Sequence, residues 1–193
     1  MKKSTIIILV ALAAFVLWGV SGYYGLVSSQ ESVNSQWANV ESQYQRRADL
    51  IPNLVATVKG YASHERETLE GVVAARAKAT QVTIDPANLT PEKLQEYQAA
   101  QGQVSSALGK LLMITENYPD LKANQNFLEL QAQLEGTENR ISVERMRFNE
   151  TAQGYNKSIR RFPNSILSGI FGFDKKPYFD AAKGSENAPA VAF

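Results

Sequence analysis

The chain has no cysteine and a single histidine, His64, in 193 residues. Without a thiol there is no disulfide, no thiolate nucleophile, no thiolate metal ligand and no lipid-modified cysteine. One histidine cannot supply the pair of imidazoles, one helical turn apart, that a metalloprotease helix needs. No glycine-rich loop is placed to cradle a phosphate, and the serines and threonines have no base partner. Lysine plus arginine number 20 against 19 acidic residues, so no basic face is available and nucleic acid is excluded as a partner. No run alternates apolar and polar residues with period two, which excludes a sheet. Nothing in the pattern implies a cofactor.

What is present begins with an apolar segment. After "MKKST" comes "IIILVALAAFVLWGVSGYYGLV", uncharged from Ile6 to Val27. Its roughly 22 residues, at about 1.5 Å each, cross a hydrocarbon core of about 30 Å. Trp18, Tyr23 and Tyr24 lie toward its distal end, where amphipathic rings favour the interface. Lys2 and Lys3 flank one side, and on the other the first charge is Glu31 and the first cation Arg46. The positive-inside rule then predicts a single-pass protein of the cytoplasmic membrane, N-terminus in and main domain outside, periplasmic or extracellular. A cleaved signal peptide shares this composition, but the run exceeds a usual signal core and small residues at 20–22 make a poor cleavage site. The expected layout is a short cytoplasmic N-terminus (1–5), a transmembrane anchor in the lipid bilayer (6–27), a helical domain (28–179) and a flexible tail (180–193).

Past the anchor, apolar residues recur in steps of three and four. Val33, Trp37, Val40, Tyr44, Ala48, Ile51, Leu54 or Val55, Val58 and Tyr61 or Ala62 form one helical stripe. Pro52 interrupts it, removing an N–H and crowding the carbonyl of Ala48, at a cost of about 3 kcal/mol in a helix interior. Either one kinked helix runs from about 28 to 62, or two helices meet near Asp49 with Asp49 as N-cap. Gly60 and "ASHERE" predict a break, with Ser63 capping a helix over 64–82. Thr90, Pro91 and Glu92 announce a third helix carrying Leu94, Tyr97, Gln101, Val104, Leu108, Leu111 and Thr115, which stops before Pro119. The last stripe holds Phe127, Leu130, Leu134, Ile141, Phe148, Ala152, Tyr155, Ile159 and Phe162, ending at Pro163. These stripes predict an all-α fold: an antiparallel four-helix bundle of long, partly kinked helices, preceded by one N-terminal transmembrane helix. An even helix count returns the chain end to the bilayer, and Ile166, Leu167, Ile170, Phe171 and Phe173 become candidates for a membrane surface.

Each chemistry-bearing group has a structural reading beside the functional one. His64 with Glu65, Glu67 and Glu70 could mark an envelope hydrolase or metal-dependent enzyme, yet Glu65 and Glu67 point to different faces and acids suit a helix start. Trp37, Tyr44, Tyr61, Phe148 and Tyr155 read as core rings. Glu144 has Arg140 and Arg147 one turn away, a solvated pairing. Alternatively, Arg46 or Arg47 of the first helix reaches Glu138 or Glu144 of the last and fixes register.

Three stretches resemble the LemA family of bacterial membrane-anchored proteins: "WANVESQYQRRADLIPNLVATVKGYASHE", "ENYPDLKANQNFLELQAQLEGTENRISVERMRFNETAQGYN" and the closing "FP…GF…YF". The resemblance implies one membrane span, an antiparallel helical bundle and no established activity or assigned active site. It carries across Arg46, Arg47, Asp49, Pro52, Asn53, Tyr118, Pro119, Asn126, Phe127, Glu138, Asn139, Arg140, Asn149, Tyr155 and Asn156, as family-motif or interhelix-contact positions with architectural roles. Phe148 stands where the family often has Tyr. The expected function is therefore a non-enzymatic scaffold or interaction module that binds membrane or envelope proteins, with self-association into a homo-oligomer as a further use.

Overall fold

A computed structural model describes residues 3–180. The expected tail falls outside these residues apart from Asp180. The chain forms α1 (Lys3–Tyr61), α2 (Arg66–Gln81), a 3-10 turn (Pro86–Asn88), α3 (Pro91–Thr115), α4 (Pro119–Lys122), α5 (Gln125–Arg160) and α6 (Asn164–Phe171). There is no strand among the described residues. Among the described residues there are six α-helices where four and an anchor were expected: α1, α2, α3 and α5 are long, while α4 and α6 are short closing pieces.

The apolar run and the first packed helix are one continuous rod. An 18-residue window near the N-terminus has mean hydropathy 2.3 and none of it is buried within the protein, so α1 is long and apolar enough to cross a membrane. From Leu26 onward one face of α1 is covered. Val33, Trp37, Val40, Tyr44, Arg47, Ile51, Leu54 and Val58 are all buried, stepping alternately by four and three. Arg47, not the half-buried Ala48, occupies the stripe between Tyr44 and Ile51. On α3 the seven positions of its predicted stripe are all buried, including Gln101 and Thr115. Steps of three and four keep side chains on one face of a helix, so burial follows the spacing even where the residue is polar.

Of the two arrangements open at Pro52, the single helix is found, and the ring faces solvent. The carbonyl that proline leaves without its helical donor is that of Ala48. Arg76 of α2 supplies the missing N–H, its Nε donating to Ala48 O at 2.6 Å. The helix therefore survives because its neighbour restores the lost hydrogen bond.

Caps account for the other boundaries. Thr90 caps α3 as expected, its Oγ1 accepting from Lys93 N at 3.3 Å with Pro91 in the first turn. Asn124 caps α5 by accepting from Phe127 N at 3.0 Å. The expectation of a Ser63 cap is corrected: α2 starts later, at Arg66, and Glu65 precedes it without a side-chain cap. Tyr61 is exposed rather than core, since Ala62 takes the buried position and the Tyr61 hydroxyl accepts from Asn124. Phe162 is likewise corrected, being 82% exposed where α5 has already ended at Arg160.

α1 packs along α5, α2 packs along α3 and also against α1, and α6 returns to the apolar end of α1. Two apolar clusters result. The one nearer the apolar run joins Leu26, Trp37 and Tyr44 to Tyr97, Phe148 and Tyr155, while the distal one joins Ile51, Leu54 and Val58 to Val72, Leu108, Leu111 and Phe127.

Candidate functional site

Between the two clusters lies a polar node built on Arg47, which is 1% exposed. Its guanidinium donates from Nη1 to Ser105 Oγ at 2.7 Å and Glu138 Oε1 at 2.6 Å. From Nη2 it donates to the backbone oxygen of Gln101 at 3.0 Å and to Gln101 Oε1 at 2.7 Å. The Tyr44 ring covers the guanidinium carbon at 5.1 Å. One side chain thus ties α1 to α3 and α5, and the planar fork of arginine suits several fixed acceptors at once. Burial raises the Tyr44 hydroxyl above its ordinary range, partly offset by Arg145 and Arg47, and burial likewise raises Tyr97.

The interhelix pairing of Arg47 with Glu138 is therefore formed. Arg46 is exposed, and Glu144 accepts from Gln36 Nε2 at 2.7 Å and from Arg147 at 2.8 Å instead of from Arg140. That Gln101 and Ser105 are partners of Arg47 escaped the sequence reading. A signal was there for Gln101, a polar residue counted on the α3 stripe and so bound to face a partner inside.

The second polar arrangement holds the chain after α6. Gly172, at φ 71°, ends α6 in the left-handed region that favours glycine. Residues 174–180 then lie along α5 as an extended strap. Asn156 Nδ2 donates to Lys176 O at 2.8 Å and its Oδ1 accepts from Lys176 N at 2.9 Å. Asn149 treats Phe179 in the same way, at 2.9 and 2.8 Å. The two asparagines are seven residues apart, about 10.5 Å along a helix, and three extended residues cover about 10 Å. Helix and strap therefore share a repeat, and at each point the side-chain amide donates from its nitrogen and accepts at its oxygen.

The strap fills the core as well as covering it. Phe179 stacks on Trp37 at 5.8 Å and 9° and meets Phe148 edge-on at 5.3 Å, with Arg145 over its ring at 4.8 Å. Lys176 is 5% exposed and donates to the carbonyl oxygens of Pro86 and Ala87 at 2.9 and 3.1 Å, fastening the strap to the α2–α3 connection. Its burial lowers the ammonium below the ordinary lysine range. Tyr155, packed beneath, is pushed up to about 12 by burial.

The remaining motif positions divide by burial. Phe127 is buried; Tyr118 donates to Glu65 Oε1 at 2.9 Å, a bond that raises its hydroxyl, and Pro119 opens α4. Asp49 accepts from Gln45, and the Asn53 carbonyl accepts from Thr57. Among the described residues Arg46, Asn126, Asn139 and Arg140 are exposed and make no side-chain hydrogen bond. Leu167 is buried and Phe173 half-buried, while Ile166, Ile170 and Phe171 are exposed. His64 is exposed, and among the described residues no group of three or more histidine or carboxylate side chains could hold a metal ion.

Cavities follow the same division. The one beside Arg47, lined by Tyr44, Ala48, Arg76, Tyr97 and Gln101, measures about 100 Å³. Small-molecule sites occupy about 300–1,000 Å³, so this one is too small. A larger groove of about 630 Å³ runs between α1 and α2, lined by Val55, Lys59, Leu69, Val73, Ala74 and Ala77.

Among the described residues these features define an all-helical protein with one helix able to cross a membrane, in which buried Arg47, Gln101, Asn156 and Lys176 bond to one another or to the protein's own backbone, while the buried Trp37 Nε1 and Tyr155 hydroxyl have no hydrogen-bond partner. The chain belongs to the LemA family, whose model matches residues 36–193. It is similar to magnetosome protein MamQ of Magnetospirillum gryphiswaldense, 26% identical over 88% of this chain and 68% of the relative. Magnetosome protein MamQ 2 of Paramagnetospirillum magneticum is 25% identical over 90% of this chain and 70% of its own length. Protein LemA of Metamycoplasma hominis is 25% identical over 71% and 59%.

Proposed function

We propose that the protein is a non-enzymatic scaffold of the cell envelope, held in the cytoplasmic membrane by residues 6–27 with its N-terminus inside. The observation that carries this reading is the continuity of α1. The helix runs from the apolar segment to Tyr61 without a linker. Its 34 residues beyond Val27 extend about 51 Å at 1.5 Å per residue. Such a rod transmits the anchor's orientation to a distant surface instead of leaving a domain on a flexible tether. At that far end lies the apolar groove between α1 and α2, with Lys59, Arg66 and Glu70 on its rim. Apolar area ringed by charge suits a protein partner, which we take to be another membrane or envelope protein. Names of relatives that refer to a cellular structure, the magnetosome, rather than to a reaction support this reading.

The test is a photo-crosslinking residue in place of Val73 or Ala77 in the full chain, activated in intact membranes and read by mass spectrometry. Discrete adducts with envelope proteins are expected, and adducts with a second copy would identify scaffolding by self-association. Absence of any adduct at both positions, with efficient crosslinking inside the helix pair as control, overturns the groove as an interface. The side of the membrane is tested by an impermeant maleimide added to spheroplasts carrying Met113→Cys: labelling without lysis is expected.

A further inference from the structure

The apolar run of α1 has a companion. Leu167 of α6 packs so closely on Gly22 that a Cβ there would stand 2.6 Å from Leu167 Cδ1. The Tyr23 ring meets Phe171 at 4.9 Å and Phe173 at 5.8 Å. Gly22 lies inside the apolar run, five residues before its end at Val27, or about 7.5 Å along the axis. A bilayer that covers the run to Val27 therefore also reaches the level of α6.

α6 is composed for that level. Leu167 faces α1, but Ile166, Ile170 and Phe171 are 51%, 68% and 55% exposed, and the neighbouring Phe162 is exposed too. Residues 162–173 contain no charged side chain. Two of their three polar side chains are bonded internally: Ser168 Oγ donates to Ile159 O at 2.9 Å, and Asn164 donates to Ser158 Oγ at 3.4 Å. On either side stand exposed cations, Lys157, Arg160 and Arg161 before and Lys175 after, against one exposed carboxylate, Asp174. Apolar side chains at the depth of the anchor, bounded by cations, match the boundary between acyl chains and headgroups.

We infer that α6, with Phe162 and Phe171, seats in the interface of the bilayer that α1 crosses, a second, non-spanning contact that fixes the tilt of the rod. The lipid surface is chosen as occupant because the exposed face is continuous with the apolar run itself. The inference rests on the reading of α1 as a membrane anchor. One contact lets a rod swivel about its anchor, whereas two set its direction and so the position of the distal groove.

The absence of cysteine makes the test clean. Single-cysteine variants of the full chain, Val16→Cys, Ile170→Cys, Phe162→Cys and Met113→Cys, carry a nitroxide in phosphatidylcholine–phosphatidylglycerol vesicles. Power saturation compares collision with oxygen, which partitions into lipid, against a water-soluble nickel chelate. All four positions are exposed, so circular dichroism should show an unchanged fold. Expected are lipid-type ratios at Val16→Cys, shallower lipid-type ratios at Ile170→Cys and Phe162→Cys, and a water-type ratio at Met113→Cys. Water-type ratios at 170 and 162 with a lipid-type ratio at 16 overturn the seat while the anchor stands. Shielding of 170 from both reagents also overturns it, since protein then covers the face. Water-type ratios at all four remove the anchor reading and this inference with it.

Discussion

Pro52 and Arg76 should be energetically coupled although they lie on different helices. In the native chain the Ala48 carbonyl has no helical donor, because residue 52 has no N–H, and Arg76 Nε bonds it at 2.6 Å. A hydrogen bond from a charged donor contributes about 1.5–3 kcal/mol. Arg76 is only half-buried, so water can partly replace it and about 2 kcal/mol is expected for Arg76→Ala. Pro52→Ala restores the N–H and removes the ring from an exposed helix position, a change of up to about 3 kcal/mol in favour of folding. Once that N–H is present, Arg76→Ala should cost no more than about 0.5 kcal/mol, leaving a coupling of about 1.5 kcal/mol. The assay is urea unfolding of the full chain in detergent for the four members of the cycle. With a slope of about 2 kcal/mol/M, the coupling is a midpoint difference of about 0.75 M. An additive cycle, with Arg76→Ala equally costly in both backgrounds, refutes the assignment of Arg76 as the replacement donor.

At the polar node, Glu138→Ala leaves the buried Arg47 without its counter-charge and should cost about 3 kcal/mol. Arg47→Met puts an apolar chain of similar length on the stripe and should cost under about 1 kcal/mol, after the unpaired Gln101 side chain is offset by relief of charge burial; a larger loss than Glu138→Ala would contradict this ordering in urea midpoints. Asn156→Ala removes both bonds to Lys176, so the strap should loosen, with faster tryptic cleavage after Lys175 and a red-shifted Trp37 emission; unchanged cleavage counts against the clamp. Alkali should unfold the protein. Tyr44, Tyr97 and Tyr155 have folded values raised above their unfolded value of 10, so the unfolded state sheds protons first and their stabilisation, complete below pH 10, is lost as pH rises through the folded values. Lys176, lowered when folded, acts oppositely as pH approaches 10.5, but it is one group against three. Tyrosinate absorbance should therefore show a late phase coincident with loss of helix, diminished by Tyr155→Phe; a single early phase near pH 10 would show these rings to be solvated.

Much of the architecture was legible because helical periodicity is a local property. Every residue read onto the α3 stripe is buried, down to Gln101 and Thr115, since spacing alone places a residue on the inner face; only Ala100, also buried on α3, was missed. The same rule, followed strictly, would have put Arg47 inside; preferring the apolar Ala48 shifted the stripe by one residue. Phe162 and Tyr61 were misread for the converse reason. Both continue an apolar spacing at the end of a helix, where the backbone leaves the packed face and hydrophobicity no longer reports burial.

The amino-acid sequence alone determined the helical class, the apolar run able to cross a membrane, the core faces and the family, because each is written in residues near one another along the chain. Only the tertiary structure decided that Pro52 leaves α1 intact, that Arg47 chooses Glu138 with Gln101 and Ser105, and that Asn149 grips residue 179 and Asn156 residue 176. These depend on donors and acceptors 20 to 91 positions apart. Which of many polar groups meet across such distances is set by how the helices pack, and no local pattern carries that information.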